Sequence, residues 1–113
     1  MAKIICKDLS GEKKFKRLTG KKRQIRGLRS GLVVLKPKES VGLHSTKNKE
    51  EVIIILKGKA KVFCEKKTKI VKENNFIYIP QKTEHNVENI GNILLKYVYV
   101  TCSYAIVEPE ITN

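Results

Sequence analysis

A chain of 113 residues has room for one domain and one hydrophobic core, and at that length it folds without disulfide staples. Its three cysteines, Cys6, Cys64 and Cys102, are odd in number, far apart and form no C-x-x-C pair, so they suggest neither a disulfide framework nor a zinc knuckle. The net charge of +13 is spread along the chain, densest from Lys13 to Arg29, with no aromatic side chains alternating with the basic ones. That pattern argues against a nucleic-acid partner and leaves a small anionic ligand, or background charge, as its use.

Before Gly20 the sequence has room for a short helix at most. Leu32 to Leu35 reads as a strand ended by Pro37. Val52 to Leu56 is a β-branched run apolar on both parities, so both of its faces call for a cover. One face suits a barrel interior; the other needs the N-terminal segment or a second subunit, and a homodimer is the expectation. Lys57-Gly58 turns the chain into Lys59 to Glu65, where Ala60, Val62 and Cys64 share one face. Parity therefore points Cys64 inward as an apolar filler.

Lys69 to Val71 is followed by the turn Glu73-Asn74-Asn75, and Phe76 to Ile79 by Pro80. His85 to Ile90 precedes the turn dipeptide Gly91-Asn92. Leu94 to Thr101 is the longest strand, with Tyr97 and Tyr99 on one face and Lys96, Val98, Val100 and Cys102 on the other. Tyr104 to Val107 reads as a last strand. Short strands separated by turns at this spacing predict an all-β, antiparallel sandwich or barrel. No apolar stretch reaches the roughly 20 residues a membrane helix needs. Met1 to Ser10 holds too short an apolar run for a signal peptide, so the expected location is cytoplasmic.

The chain's two histidines stand in informative surroundings. His44 is followed by Glu51 and then Gly58; Pro80 is followed by His85 and then Asn89. These spacings resemble the two motifs of the cupin superfamily, G-x5-H-x-H-x3–4-E-x6-G and G-x5-P-x-G-x2-H-x3-N. The resemblance covers roughly residues 28 to 102. It implies a double-stranded β-helix, or jelly-roll barrel, over residues 28–108, with a basic segment (1–27) packed on it and a short tail (109–113). It also implies a metal pocket built from His44, Glu51 and His85.

The departures from the pattern are specific. Thr46 stands where the family has a second histidine, leaving three protein ligands instead of four. Lys38 and Lys82 stand at glycine positions, and Asn74 at another. Asn tolerates the left-handed conformation, whereas lysine there is strained, so the turns at Lys38 and Lys82 are expected to have changed shape.

A set of imidazole and carboxylate donors suits a divalent transition metal: Zn, Fe, Mn, Ni or Cu. The alternative is a barrel that kept its scaffold and lost its metal. Two functions follow from the resemblance. One is a metal-dependent enzyme, of isomerase, epimerase or dioxygenase type, acting on a small anionic substrate such as a phosphosugar or carboxylate, with nearby lysines holding the anion. The other is a non-catalytic barrel that binds or senses a small ligand.

Overall fold

The computed structural model describes residues 4–19 and 27–103. These form strands and connecting turns with no helix among them. The strands are β1 (Phe15–Thr19), β2 (Leu28–Leu35), β3 (His44–Ser45), β4 (Lys49–Lys57), β5 (Lys59–Cys64), β6 (Lys67–Lys72), β7 (Phe76–Ile79), β8 (Glu84–Asn89) and β9 (Leu95–Ser103). All pair antiparallel. One sheet has the order β1-β2-β9-β4-β7 and the other β3-β8-β5-β6. The chain is an all-β barrel made of two facing sheets. The segment before Gly20 contributes β1 instead of a helix, because its backbone pairs with β2 from Phe15 opposite Val33 to Thr19 opposite Ser30. The strand expected from Tyr104 to Val107, and the lysines and arginines of 21–26, lie outside the described residues.

Alternation fixes what each strand buries. Ile53 and Ile55 of β4 point inward with Val33 and Leu35 of β2, and meet Ala60, Val62 and Val87 from the other sheet. Gly58 makes the β4–β5 turn at φ 93°, and a Cβ there would lie 2.7 Å from the Leu94 carbonyl oxygen. Only glycine fits that approach. β6 is an edge strand carrying Lys67, Lys69 and Lys72, charges that discourage pairing with a further strand.

Among the described residues, nothing covers the outward face of β4. Ile54 and Leu56 are 39% and 40% exposed, and Phe76 and Tyr78 on neighbouring β7 are also exposed. On the other flank of the same sheet, Leu32 and Val34 are buried although they share the outward parity. Lys16, which lies opposite Leu32, donates to the Asp8 carbonyl at 2.7 Å, so the residues before β1 run over that flank.

The turns at Lys38 and Lys82 did not change shape. Both lysines hold positive φ, 73° and 54°, as does Asn74 at 70°. An isolated left-handed residue costs roughly 1–2 kcal/mol. Hydrogen bonds offset that cost, since the Lys38 amide donates to Asn89 and the Lys82 amide to Lys47.

Candidate metal centre

Strand pairing brings the two histidines together. β3 lies beside β8 with His44 directly opposite His85, and their ring centroids are 4.1 Å apart. On β8, His85, Val87 and Asn89 alternate inward and are buried. Glu51 reaches the pair from β4, on the facing sheet. The turn between His44 and Glu51 carries the chain across the barrel, from one sheet to the other. The ligating atoms of His44, Glu51 and His85 lie within 4.8 Å of one another.

Each imidazole is oriented by the backbone two residues upstream. His44 Nδ1 lies 2.8 Å from the Gly42 carbonyl oxygen, and His85 Nδ1 lies 3.1 Å from that of Thr83. A carbonyl only accepts, so each Nδ1 carries hydrogen, and Nε2 is the atom left to bind. His85 Nε2 faces Glu51 Oε1 at 3.1 Å. Nε2 of a neutral ring with Nδ1–H would present a lone pair to a carboxylate oxygen, which is repulsive. Something positive must lie between them, a proton or a metal ion, and the donor set suits either. Burial draws the His85 pKa down, but the Glu51 hydrogen bond, the Thr83 carbonyl and the Glu51 charge together leave it raised.

Thr46 is engaged elsewhere. Its hydroxyl donates to the Pro80 carbonyl at 2.7 Å and accepts from the Thr83 amide at 3.1 Å. It therefore holds the turn before His85 in place, and three side chains remain to meet an ion. Asn89 is likewise structural. Its amide nitrogen donates to the Leu35 and Ile93 carbonyls, and its oxygen accepts from the Gly91 amide.

The cluster opens into a cavity of about 520 Å³, within the range of small-ligand sites. Tyr97 and Tyr99 are the inward set of β9. Burial, then the Glu51 charge, pushes the Tyr97 phenol far above its ordinary range. Tyr99 leans over Gly31, where a Cβ would lie 2.6 Å from its ring, and stacks on Phe15 at 6.3 Å between centroids.

Arg17 and Arg29 also line the cavity, and the sequence reading passed over both. The signal was parity: in Arg29-x-Gly31-x-Val33-x-Leu35 the arginine shares the inward face. It was missed because the strand was read from Leu32, four residues late.

With this geometry in hand, comparison with known proteins identifies the chain. Residues 15–113 match the family model described as mannose-6-phosphate isomerase C-terminal, a cupin family. The chain belongs to that family. An uncharacterised protein of Methanocaldococcus jannaschii is 42% identical over 62 residues, covering 55% of this chain and 48% of that protein. Mannose-1-phosphate guanylyltransferase 2 of Escherichia coli O157:H7 is 35% identical over 79 residues, 70% of this chain and 16% of the enzyme.

This cupin thus spans about half the length of the first relative and about a sixth of the second. Among solved structures, an RmlC-like cupin of Methanocaldococcus jannaschii with a double-stranded β-helix superposes with a TM-score of 0.76, covering 91% of this chain and 92% of that one. Identity to it is 21%, so the likeness is one of fold. No helix among the described residues of this cupin is long and apolar enough to cross a membrane.

Proposed function

We propose that this cupin holds one divalent transition metal on His44, Glu51 and His85 and uses it to bind a small anionic ligand, with a sugar phosphate as the first class to test. The observation that carries the reading is the convergence of the three ligating groups within 4.8 Å, with Nδ1 of both histidines held by backbone carbonyls and Nε2 left free to bind. Carbonyl-oriented imidazoles are a usual second layer of metal sites. A bound ion would supply Lewis acidity toward a carbonyl or hydroxyl oxygen. The residues themselves orient the site: Gly42 and Thr83 fix the rings, and Thr46 fixes the turn that delivers His85.

The description of the family makes isomerisation of mannose 6-phosphate the reaction to try. Conversion to the ketose isomer by metal-loaded full chain, lost in His44→Ala, supports catalysis. No turnover with intact, saturable binding supports the second reading, a non-catalytic binding barrel. One feature favours that second reading: the only imidazoles and the only carboxylate among the described residues lining the cavity are the three proposed ligands, leaving none as a separate general base.

We also propose that the exposed face of β4 and β7 pairs with a second copy. Light scattering should give twice the 12.9 kDa chain mass, falling to the single mass in Ile54→Asp. A parent at the single mass contradicts the pairing.

A further inference from the structure

We propose that Arg17 and Arg29 form an oxyanion subsite across the cavity from His44, Glu51 and His85. The cavity would then take a short ligand with an oxyanion group at one end and chelating oxygens at the other. The chelating end rests on the metal reading above; the oxyanion end does not.

The register of the five-stranded sheet places the two arginines. Glu51, Thr101 and Arg29 form one row across β4, β9 and β2. Ile53, Tyr99, Gly31 and Arg17 form the next inward row. Arg29 and Arg17 are therefore diagonal neighbours on adjacent strands, within reach of each other's long side chains. Two strand spacings put the Arg29 Cα about 10 Å from that of Glu51. Gly31 sits between Arg17 and Tyr99 with no side chain of its own, and lets the Tyr99 ring lean toward β1.

The charge balance points to a ligand. Arg17, Arg29, Lys47 and Lys49 line the cavity against a single carboxylate, Glu51, and that carboxylate is occupied by His85. Neither arginine has an ion-pair partner among the described residues; the pairs found there are Lys14 with Glu39 and Glu51 with His85. The Phe15 ring, 5.9 Å from the Arg17 guanidinium carbon, supports that side chain without neutralising it. Exposed arginines are ordinary on a basic protein. Two of them on the inward parity of one sheet, both lining the same cavity, are not. Guanidinium matches oxyanions through paired hydrogen bonds, which lysine cannot do. The sequence reading gave this task to lysines; here Lys47 and Lys49 join the lining from the turn after β3 and the start of β4, where they add attraction but no fixed geometry.

The test is calorimetric binding to full-length protein, metal-loaded and chelator-treated, using 2-phosphoglycolate, malonate, glycolate and inorganic phosphate as probes. The double variant R17Q/R29Q should weaken 2-phosphoglycolate by about tenfold or more, as loss of charge-assisted hydrogen bonds predicts. Glycolate, which lacks the second oxyanion group, should change little, and metal content should stay that of the parent. Comparing malonate with 2-phosphoglycolate tells whether carboxylate or phosphate is preferred. K69Q, on β6 and away from this cavity, should behave as the parent.

Equal affinities in parent and R17Q/R29Q overturn the subsite. So does a parent that binds none of the probes, or a K69Q loss as large as that of R17Q/R29Q, which would mean diffuse charge. If chelator-treated parent binds inorganic phosphate and R17Q/R29Q does not, the subsite stands even where the metal reading fails. If metal binds normally and the arginines do not matter, the subsite alone falls.

Discussion

Two cavities on this barrel invite comparison, and the larger is the poorer in chemistry. The one beside β3 and β4, about 520 Å³, gathers two imidazoles, a carboxylate and two arginines. The other, about 740 Å³, is lined from β6 and β7, edge strands of different sheets. Its floor is Val62, Ile77 and Ile79, and lysines 66, 67 and 69 also line it. Its one thiol, Cys64, has its pKa raised by burial first and then by Glu65. The difference comes from chain path. Between His44 and Glu51 the chain crosses from one sheet to the other, so donors close in sequence face each other across the interior. The β5–β6 hairpin stays in one sheet, where alternation sends Val62 in and Lys61 out. Volume alone does not mark a site; convergence across two sheets does.

The largest expected effect separates the two histidines from each other and the two cavities from one another. His85→Ala should abolish metal binding and cost about 2–4 kcal/mol, since it empties a fully buried position and leaves Glu51 and the Thr83 carbonyl without their partner. His44→Ala should lose the metal as completely but cost under about 1 kcal/mol, because its ring is exposed. Cys64→Ala in the second cavity should leave metal content unchanged. Metal analysis and urea denaturation of the three variants check this, and loss of metal in Cys64→Ala would erase the contrast.

Thr46→Val tests whether the missing fourth ligand is a support instead. Removing the hydroxyl strands the Pro80 carbonyl and the Thr83 amide, so stability should fall by about 1–3 kcal/mol. Metal affinity of the folded fraction should stay close to the parent's. A large loss of affinity with unchanged stability would make the hydroxyl a ligand.

Much of this was legible in the sequence, for physical reasons. The motif spacings located His44, Glu51 and His85 because strand pairing at fixed register converts spacing into position. Parity gave the inward set at Ala60 and Val62. Three features were not legible. The crossing between sheets at Thr46 to Glu50 is a matter of loop direction, on which alternation is silent. The strained turns at Lys38 and Lys82 kept their shape because hydrogen bonds elsewhere hold them, and those partners are distant in sequence. β1 was invisible because FKRLT carries only two apolar residues, and its strand state comes from pairing with β2.

A smaller effect concerns pH. In metal-free protein the raised His85 pKa means that its proton stabilises the fold fully below the unfolded value of about 6.5, and that this contribution is lost as pH rises through the folded value. Metal binding has the opposite sign, because the ion must displace that proton and affinity should grow over the same window. Denaturation midpoints of chelator-treated parent and His85→Gln, compared from pH 5 to 8 on the order of one unit apart, should converge toward the alkaline end. A parent whose advantage over His85→Gln grows with pH would reverse the sign.

The most direct test of the central claim is metal analysis of the full chain, purified without chelator or histidine tag and then titrated with Zn and Mn. The account predicts about one ion per chain in the parent, and none in His44→Ala, whose melting temperature should stay close to that of chelator-treated parent. A parent that takes up no ion, or a His44→Ala variant that keeps it, would contradict the account.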